Sequence, residues 1–304
     1  MIYQGANWEL RHGDSCEALP TLAADSIDLS IMSPPFSSLY TYSASERDIG
    51  NCSSHAEFIE HMGFISDELL RVTKPGRLSC LHVQQVATTK AKDGVIGLMD
   101  FRGSMIAAFI AHGWIFHGEI CIDKDPQAQA IRTHSKALLF VQLRKDASWL
   151  RPALADYILV FRKPGDNAVP ILPDITNENW IEWARPIWYG ISETDTLNVV
   201  EARENDDERH ICPLQLGTIE RCVRLWSNPG ELILSPFAGI GSEGYEAVRL
   251  GRRFVGIELK EAYARVAAKN LAVAETLRTQ GGLFEGAKAI PADVNTDRSG
   301  MVIR

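Results

Sequence analysis

Two short stretches carry residue types that could do chemistry. The first is "SPPF", Ser33 to Phe36, which follows the apolar run "IDLSIM". Pro34 and Pro35 fix their φ angles and contribute no backbone N–H. A chain leaving a strand there is stiff, free of competing donors, and presents two acceptors, the Ser33 hydroxyl and the Pro34 carbonyl. Phe36 adds a flat face for stacking. A proline turn that merely ends an edge strand would use the same residues. The second stretch is "ELILSPFAGIGSEGYEAVRLGRRFVGIEL", a strand–loop–helix–strand unit in which Gly239, Gly241 and Gly244 fit GxGxxG. Glycines at that spacing let the backbone approach a ligand and aim a helix N-terminus at its anionic end. Glu258, nineteen residues after Gly239, closes the next strand, where a carboxylate suits two ribose hydroxyls. NAD, FAD and S-adenosylmethionine all carry a ribose and an anionic end, so the pattern alone does not choose among them.

"SIDLSIMSPPF" resembles the (D/N/S)PP(Y/F) motif of amino methyltransferases, and "SPFAGIGSEG" downstream points the resemblance to S-adenosylmethionine (SAM). The chemistry fits. An exocyclic amino group of cytosine or adenine is a poor nucleophile, because its lone pair is delocalised into the ring. Acceptors for both of its N–H groups favour the pyramidal nitrogen that attacks a methyl group, and a base in duplex DNA must leave the stack to reach them. "DERHICPLQLGTIERCVRLW", just before the glycine unit, resembles the segment preceding the SAM loop in the β group of bacterial and phage DNA amino methyltransferases. In that group the catalytic motif comes first, a target-recognition region follows, and the SAM motif lies near the C-terminus. The order here is the same, and the resemblance covers roughly residues 6–275. "VTKPGRLSCLHV" matches the group's Lys-Pro-Gly turn before a central strand.

By position, the resemblance implies that Phe237, Ala238, Gly239 and Gly241 line the methionine part of the cofactor, Glu258 its ribose and Asp14, from "HGDSCEAL", its adenine. It gives Ser33, Pro34, Pro35 and Phe36 to the target base. His210 stands where the group has a His-Pro pair; here the chain reads His-Ile-Cys-Pro, so capping or packing competes with cofactor contact. Serine at the first motif position favours cytosine N4 over adenine N6. Carbon-5 methylation needs a nucleophilic cysteine, usually in a Pro-Cys dipeptide, and the sequence has none. A GxGxxG dinucleotide-dependent oxidoreductase, which leaves "SPPF" unexplained, and a non-catalytic nucleic-acid-binding module are the readings from other classes.

The elements that must hold these residues follow from periodicity. Apolar runs ending at Gly, Pro or Asp, with helical stretches between them, predict an α/β, doubly wound, mostly parallel sheet of the Rossmann-like SAM-dependent methyltransferase kind. Phe58, Met62, Ile65, Leu69 and Val72 predict a helix over 55–73. "WIFHGEICI", "KALLFVQLR" and "DYILVFRKPG" read as strands, and 41–54 and 85–104 as loops. The catalytic half is expected over 1–165 and the SAM-binding half over 210–280, with a mobile tail over 281–304. Between the halves, 166–209 reads as an inserted target-recognition region with its own packing cluster. It holds eleven acidic residues against three arginines, and three of the seven tryptophans.

With 304 residues, 45% of them hydrophobic, the chain can bury a large core, and no apolar run approaches the roughly 20 residues of a membrane span. The six cysteines form no CxxC pair, so neither a structural metal nor a disulfide framework is expected. The formal net charge of −8 leaves DNA contact to a local patch. Residues 124–163 supply one, eight Lys and Arg (among them Lys124, Arg132, Lys136 and Lys163) against three Asp. Base reading in the acidic region would fall to Trp183, Arg185 and Trp188. Double-stranded DNA is the expected partner, a homodimer and a cognate restriction endonuclease stay open, and the expected place is the cytoplasm of a bacterial or phage-infected cell, at the nucleoid.

Overall fold

In a computed structural model of the chain, residues 1–35, 48–52, 54–133, 135–197 and 213–285 are described, with backbone alone at 92, 132, 133, 136 and 280–285. The first half runs β1 (Ile2–Gln4), β2 (Trp8–His12), α1 (Ser15–Ala18), β3 (Ile27–Met32), α2 (His55–Val72) and β4 (Thr73–Gln84). Next come β5 (Val86–Thr88), α3 (Lys90–Asp93), β6 (Gly97–Met99), α4 (Phe101–Ala111), β7 (Ile115–Ile122), α5 (Pro126–Thr133), α6 (Phe140–Lys145) and β8 (Asp156–Arg162). The remainder comprises α7 (Asn177–Trp183), β9 (Ile187–Trp188), α8 (Leu216–Trp226), β10 (Leu232–Ser235), α9 (Ser242–Arg249), β11 (Arg253–Glu258) and α10 (Glu261–Glu285).

Nine strands form one sheet in the order β1-β2-β11-β10-β3-β4-β8-β7-β9. The five from β2 to β4 are mutually parallel, and β8 runs antiparallel between β4 and β7. Every residue of β3 is buried, as expected of a central strand covered on both faces. Its Leu29 and Ile31 pack with Ile219 and Val223 of α8, Ala247 of α9 and Ala267 of α10. On the opposite face Ile27 packs with Phe58, Met62, Ile65 and Leu69 of α2 and Phe109 of α4. The α2 periodicity therefore describes a real buried stripe, and Ser54 caps that helix by accepting from the Glu57 N–H.

Three expectations need correction. "KALLFVQLR" is a 3-10 turn (Lys136–Leu138) followed by α6, not a strand. The neighbouring sheet positions are filled, since β7 pairs with β8 on one side and β9 on the other, and Leu139, Phe140, Val141 and Leu143 stay exposed. The stretch 85–104 is not simply a loop, because β5 and β6 pair there as a hairpin. Nor do the tryptophans of 166–209 form a separate cluster. Trp188 belongs to the main core, where its ring stacks on Trp226, and β9 completes the sheet edge beside β7. The expected loop 41–54 lies mostly outside the described residues; of the expected mobile tail 281–304, residues 281–285 instead extend α10 and the rest lies outside the described residues.

Candidate active site

The two chemistry-bearing stretches leave the sheet side by side. β3 and β10 are adjacent and parallel, with Leu29 opposite Ile233 and Ser30 opposite Leu234. From β3 the chain passes through α2 to β4; from β10 it passes through α9 to β11, on the other side. Connections that diverge from neighbouring parallel strands open a crevice at their carboxyl ends. Ser33, Pro34 and Pro35 sit at one lip and Pro236 to Gly241 at the other. Ser15, in α1, ties the second lip down by donating its hydroxyl to the Pro236 carbonyl.

On the glycine side, Gly239 and Gly241 have φ of 52° and 88°, in the region that favours glycine, and Gly241 caps α9. The Glu258 carboxylate accepts from the Gly239 N–H and the Lys260 N–H, each at 2.8 Å. Enclosure pushes that carboxyl up to about 7, with the two hydrogen bonds opposing the shift and the nearby Asp48 charge adding to it. Glu243, in the first turn of α9, is buried and pushed up to about 8 by the same desolvation, with the Glu258 charge adding. Asp14 caps α1 by accepting from the Cys16 N–H and lines a cavity of about 260 Å³ with Asp48, Asn51, Cys52, Glu57 and His61. The buried side-chain oxygens without a protein partner among the described residues include Ser235 at the end of β10 and Ser242 at the start of α9, which flank the glycine loop, and Gln215 and Thr218 at the start of α8. Unmatched polar atoms beside a glycine loop, a ribose-suited carboxylate and a cavity are what a nucleoside cofactor with a polar tail would satisfy.

On the proline side, Ser33 Oγ lies 3.0 Å from His82 Nδ1. His82 comes from β4, and its Nε2 lies 3.2 Å from Oδ2 of Asp156, at the start of β8. Lys124, just beyond β7, reaches the same oxygen at 2.5 Å, and Gln84 Nε2 donates to Oδ1 at 2.7 Å. Burial alone would raise the Asp156 carboxyl, but the charges and polar contacts of His82 and Lys124 bring it down to about 2. The sequence offered no sign of this chain of groups. His82, Lys124 and Asp156 are single residues in separate elements, and only the strand register gathers them.

The expected DNA-facing residues fare unevenly. Arg185 is exposed and Trp183 half-buried. Trp188 is 1% exposed, donates its Nε1–H to the Trp183 carbonyl and lies under the Arg221 guanidinium, so its ring is core and not a base contact. Lys124 is buried against Asp156, and Lys163 is held by Asp25 and the Thr73 carbonyl, which removes both from the basic patch. Phe36 and His210 lie outside the described residues, as do the side chains of Arg132 and Lys136, whose backbone belongs to α5 and to the turn before α6.

A family model described as DNA methylase matches residues 27–269. The chain is 28% identical over 149 residues to Type II methyltransferase M.BglI of Bacillus subtilis, covering 49% of this chain and 36% of that protein. It is 43% identical over 53 residues to Type II methyltransferase M2.DpnII of Streptococcus pneumoniae, covering 17% of this chain and 20% of that one. These matches reach over about a third or less of the relatives' own length. Among solved structures, TTHA0409 of Thermus thermophilus, in complex with S-adenosyl-L-methionine, superposes with a TM-score of 0.66 at 23% identity, over 87% of this chain and 93% of that chain. The cytosine-N4-specific PvuII DNA methyltransferase superposes with a TM-score of 0.62 at 18% identity, over 91% and 93%. Both share the fold, including the mostly parallel sheet flanked by helices.

Proposed function

Because the chain belongs to the family of DNA methylases, we propose that it transfers a methyl group from SAM to the exocyclic amino group of a base turned out of double-stranded DNA, with cytosine N4 favoured over adenine N6. The observation that carries this reading is the adjacency of the Ser33 tip and the glycine loop at the ends of two paired parallel strands. A methyl donor held by one lip would face an amino group held by the other.

In this reading Phe237, Ala238, Gly239 and Gly241 hold the methionine part of the cofactor, Glu258 the ribose hydroxyls and Asp14 the adenine, and the unmatched Ser235 and Ser242 hydroxyls gain partners. Bound SAM supplies an electrophilic methyl group; the chain supplies everything else. Ser33 Oγ and the Pro34 carbonyl accept from the amino group, with both prolines fixing that carbonyl before the base arrives. Phe36 stacks the base. Extruding it costs a few kcal/mol, which DNA contacts must offset. Residues 166–209 are the region we assign to target recognition, with Arg185 as an exposed cation and Trp183 near it in the chain.

Incubation with duplex DNA and methyl-labelled SAM, followed by digestion to nucleosides, tests the reading. Label in N4-methylcytosine is expected. Label in N6-methyladenine would keep the reaction class and reassign the base, whereas unlabelled DNA would overturn the proposal.

A further inference from the structure

Ser33 has a partner that accepting from a base does not by itself require. A serine hydroxyl offers one proton and two lone pairs, and it rotates freely unless something holds it. If that proton turned toward the target amino group, it would compete for the nitrogen lone pair that must do the attacking. His82 Nδ1, 3.0 Å from Ser33 Oγ, is placed to receive the proton and leave both oxygen lone pairs facing the base.

Resting on the reading of the site given above, we propose that His82, oriented by Asp156, is a positioning residue that holds the Ser33 hydroxyl proton and thereby fixes Ser33 Oγ as an acceptor for the target amino group. The tautomer this needs is set by its neighbours. Asp156 stays ionised, and Oδ2 lies 3.2 Å from His82 Nε2, a charge contact whose angle is too bent for a hydrogen bond; the carboxylate's charge favours the ring proton on Nε2, which leaves Nδ1 to present its lone pair. Lys124 reaches the same Asp156 oxygen at 2.5 Å, and Gln84 donates to the other carboxylate oxygen, so the aspartate is fixed in place beside the ring. Among the described residues, the charged groups facing His82 are Asp156 from β8 and, through it, Lys124 beyond β7; from the β3 side it meets neutral Ser33.

The test combines spectroscopy with kinetics. In the chain labelled with 15N-histidine, without DNA, His82 should appear as the Nε2–H tautomer near neutral pH, and Ser33→Ala should move its Nδ1 signal. His82→Ala should slow single-turnover methyl transfer by about 10²-fold. His82→Asn, whose amide oxygen can still accept from Ser33, should recover the rate, and SAM affinity measured by calorimetry should be unchanged in both variants. An Nδ1–H tautomer, a His82→Ala variant with the wild-type rate, or a His82→Asn variant as slow as His82→Ala would overturn the proposal. If His82→Ala does not fold, the tautomer and the His82→Asn variant still decide. A wild-type chain that binds no SAM or methylates no DNA would instead defeat the underlying reading.

Discussion

Glu258 is a carboxylate where enclosure and the Asp48 charge oppose ionisation, while two backbone donors favour it; the balance sits at about 7. Glu243 beside it is pushed to about 8. Carboxyls with raised values bind protons in the folded chain that the unfolded chain has released from about pH 4.5 upward. Ligand-free protein should therefore lose stability as pH rises through that window, and Glu243→Gln should flatten the upper part of the decline, read by thermal melting from pH 5 to 8. Asp156 has the opposite sign. Its stabilisation is present above about pH 4 and lost as pH falls toward about 2. Ribose hydroxyls donate, so they favour ionised Glu258. SAM affinity should rise between pH 6 and 8, and Glu258→Gln should abolish that rise in titration calorimetry.

At the scale of elements, the glycine loop is shaped by α9, which lies close against the sheet beneath it. A Cβ at Gly244 would come within 2.5 Å of Phe254 Cδ1 and 2.6 Å of Leu271 Cδ2, both buried, so neither side can yield cheaply. Gly244→Ala should cost about 1–3 kcal/mol in urea unfolding and weaken SAM binding by displacing the helix start. Elements of this kind were legible in the sequence, since GxGxxG, the strand before it and the carboxylate after it are local in the chain. The pairing of "SPPF" with that loop was legible only through motif order, and the β3–β10 register supplies the physical reason. His82 and Asp156 were not legible, since one histidine in "CLHV" and one aspartate before "YILVF" carry no periodic signal. "KALLFVQLR" misled because its apolar residues resemble a buried strand while the protein leaves four of them exposed. Trp188 misled in the other direction; an aromatic in an acidic, tryptophan-rich segment turned out to close the core.

For the molecule as a whole, a net charge of −8 makes any grip on DNA local. With Lys124 and Lys163 committed to internal partners and Trp188 buried, Arg185 is the exposed cation among the described residues of the region assigned to recognition. Arg185→Ala should relax sequence preference by about 1–3 kcal/mol while leaving the salt slope of binding unchanged, as for a base contact and unlike a phosphate contact. Fluorescence anisotropy with cognate and scrambled duplexes at two salt concentrations checks both parts. No helix among the described residues is long and apolar enough to cross a membrane.

The central pairing has a temporal corollary. Asp28, at the start of β3, accepts from the Leu232 N–H across 204 residues of chain. During synthesis the serine tip must wait, beside an unzipped sheet edge, for β10 to emerge from the ribosome, and closing so distant a contact is a slow kind of folding step. A polypeptide cut short before that strand would carry the Ser33 tip without the glycine loop opposite it, so on the reading proposed above truncated translation products should transfer no methyl group.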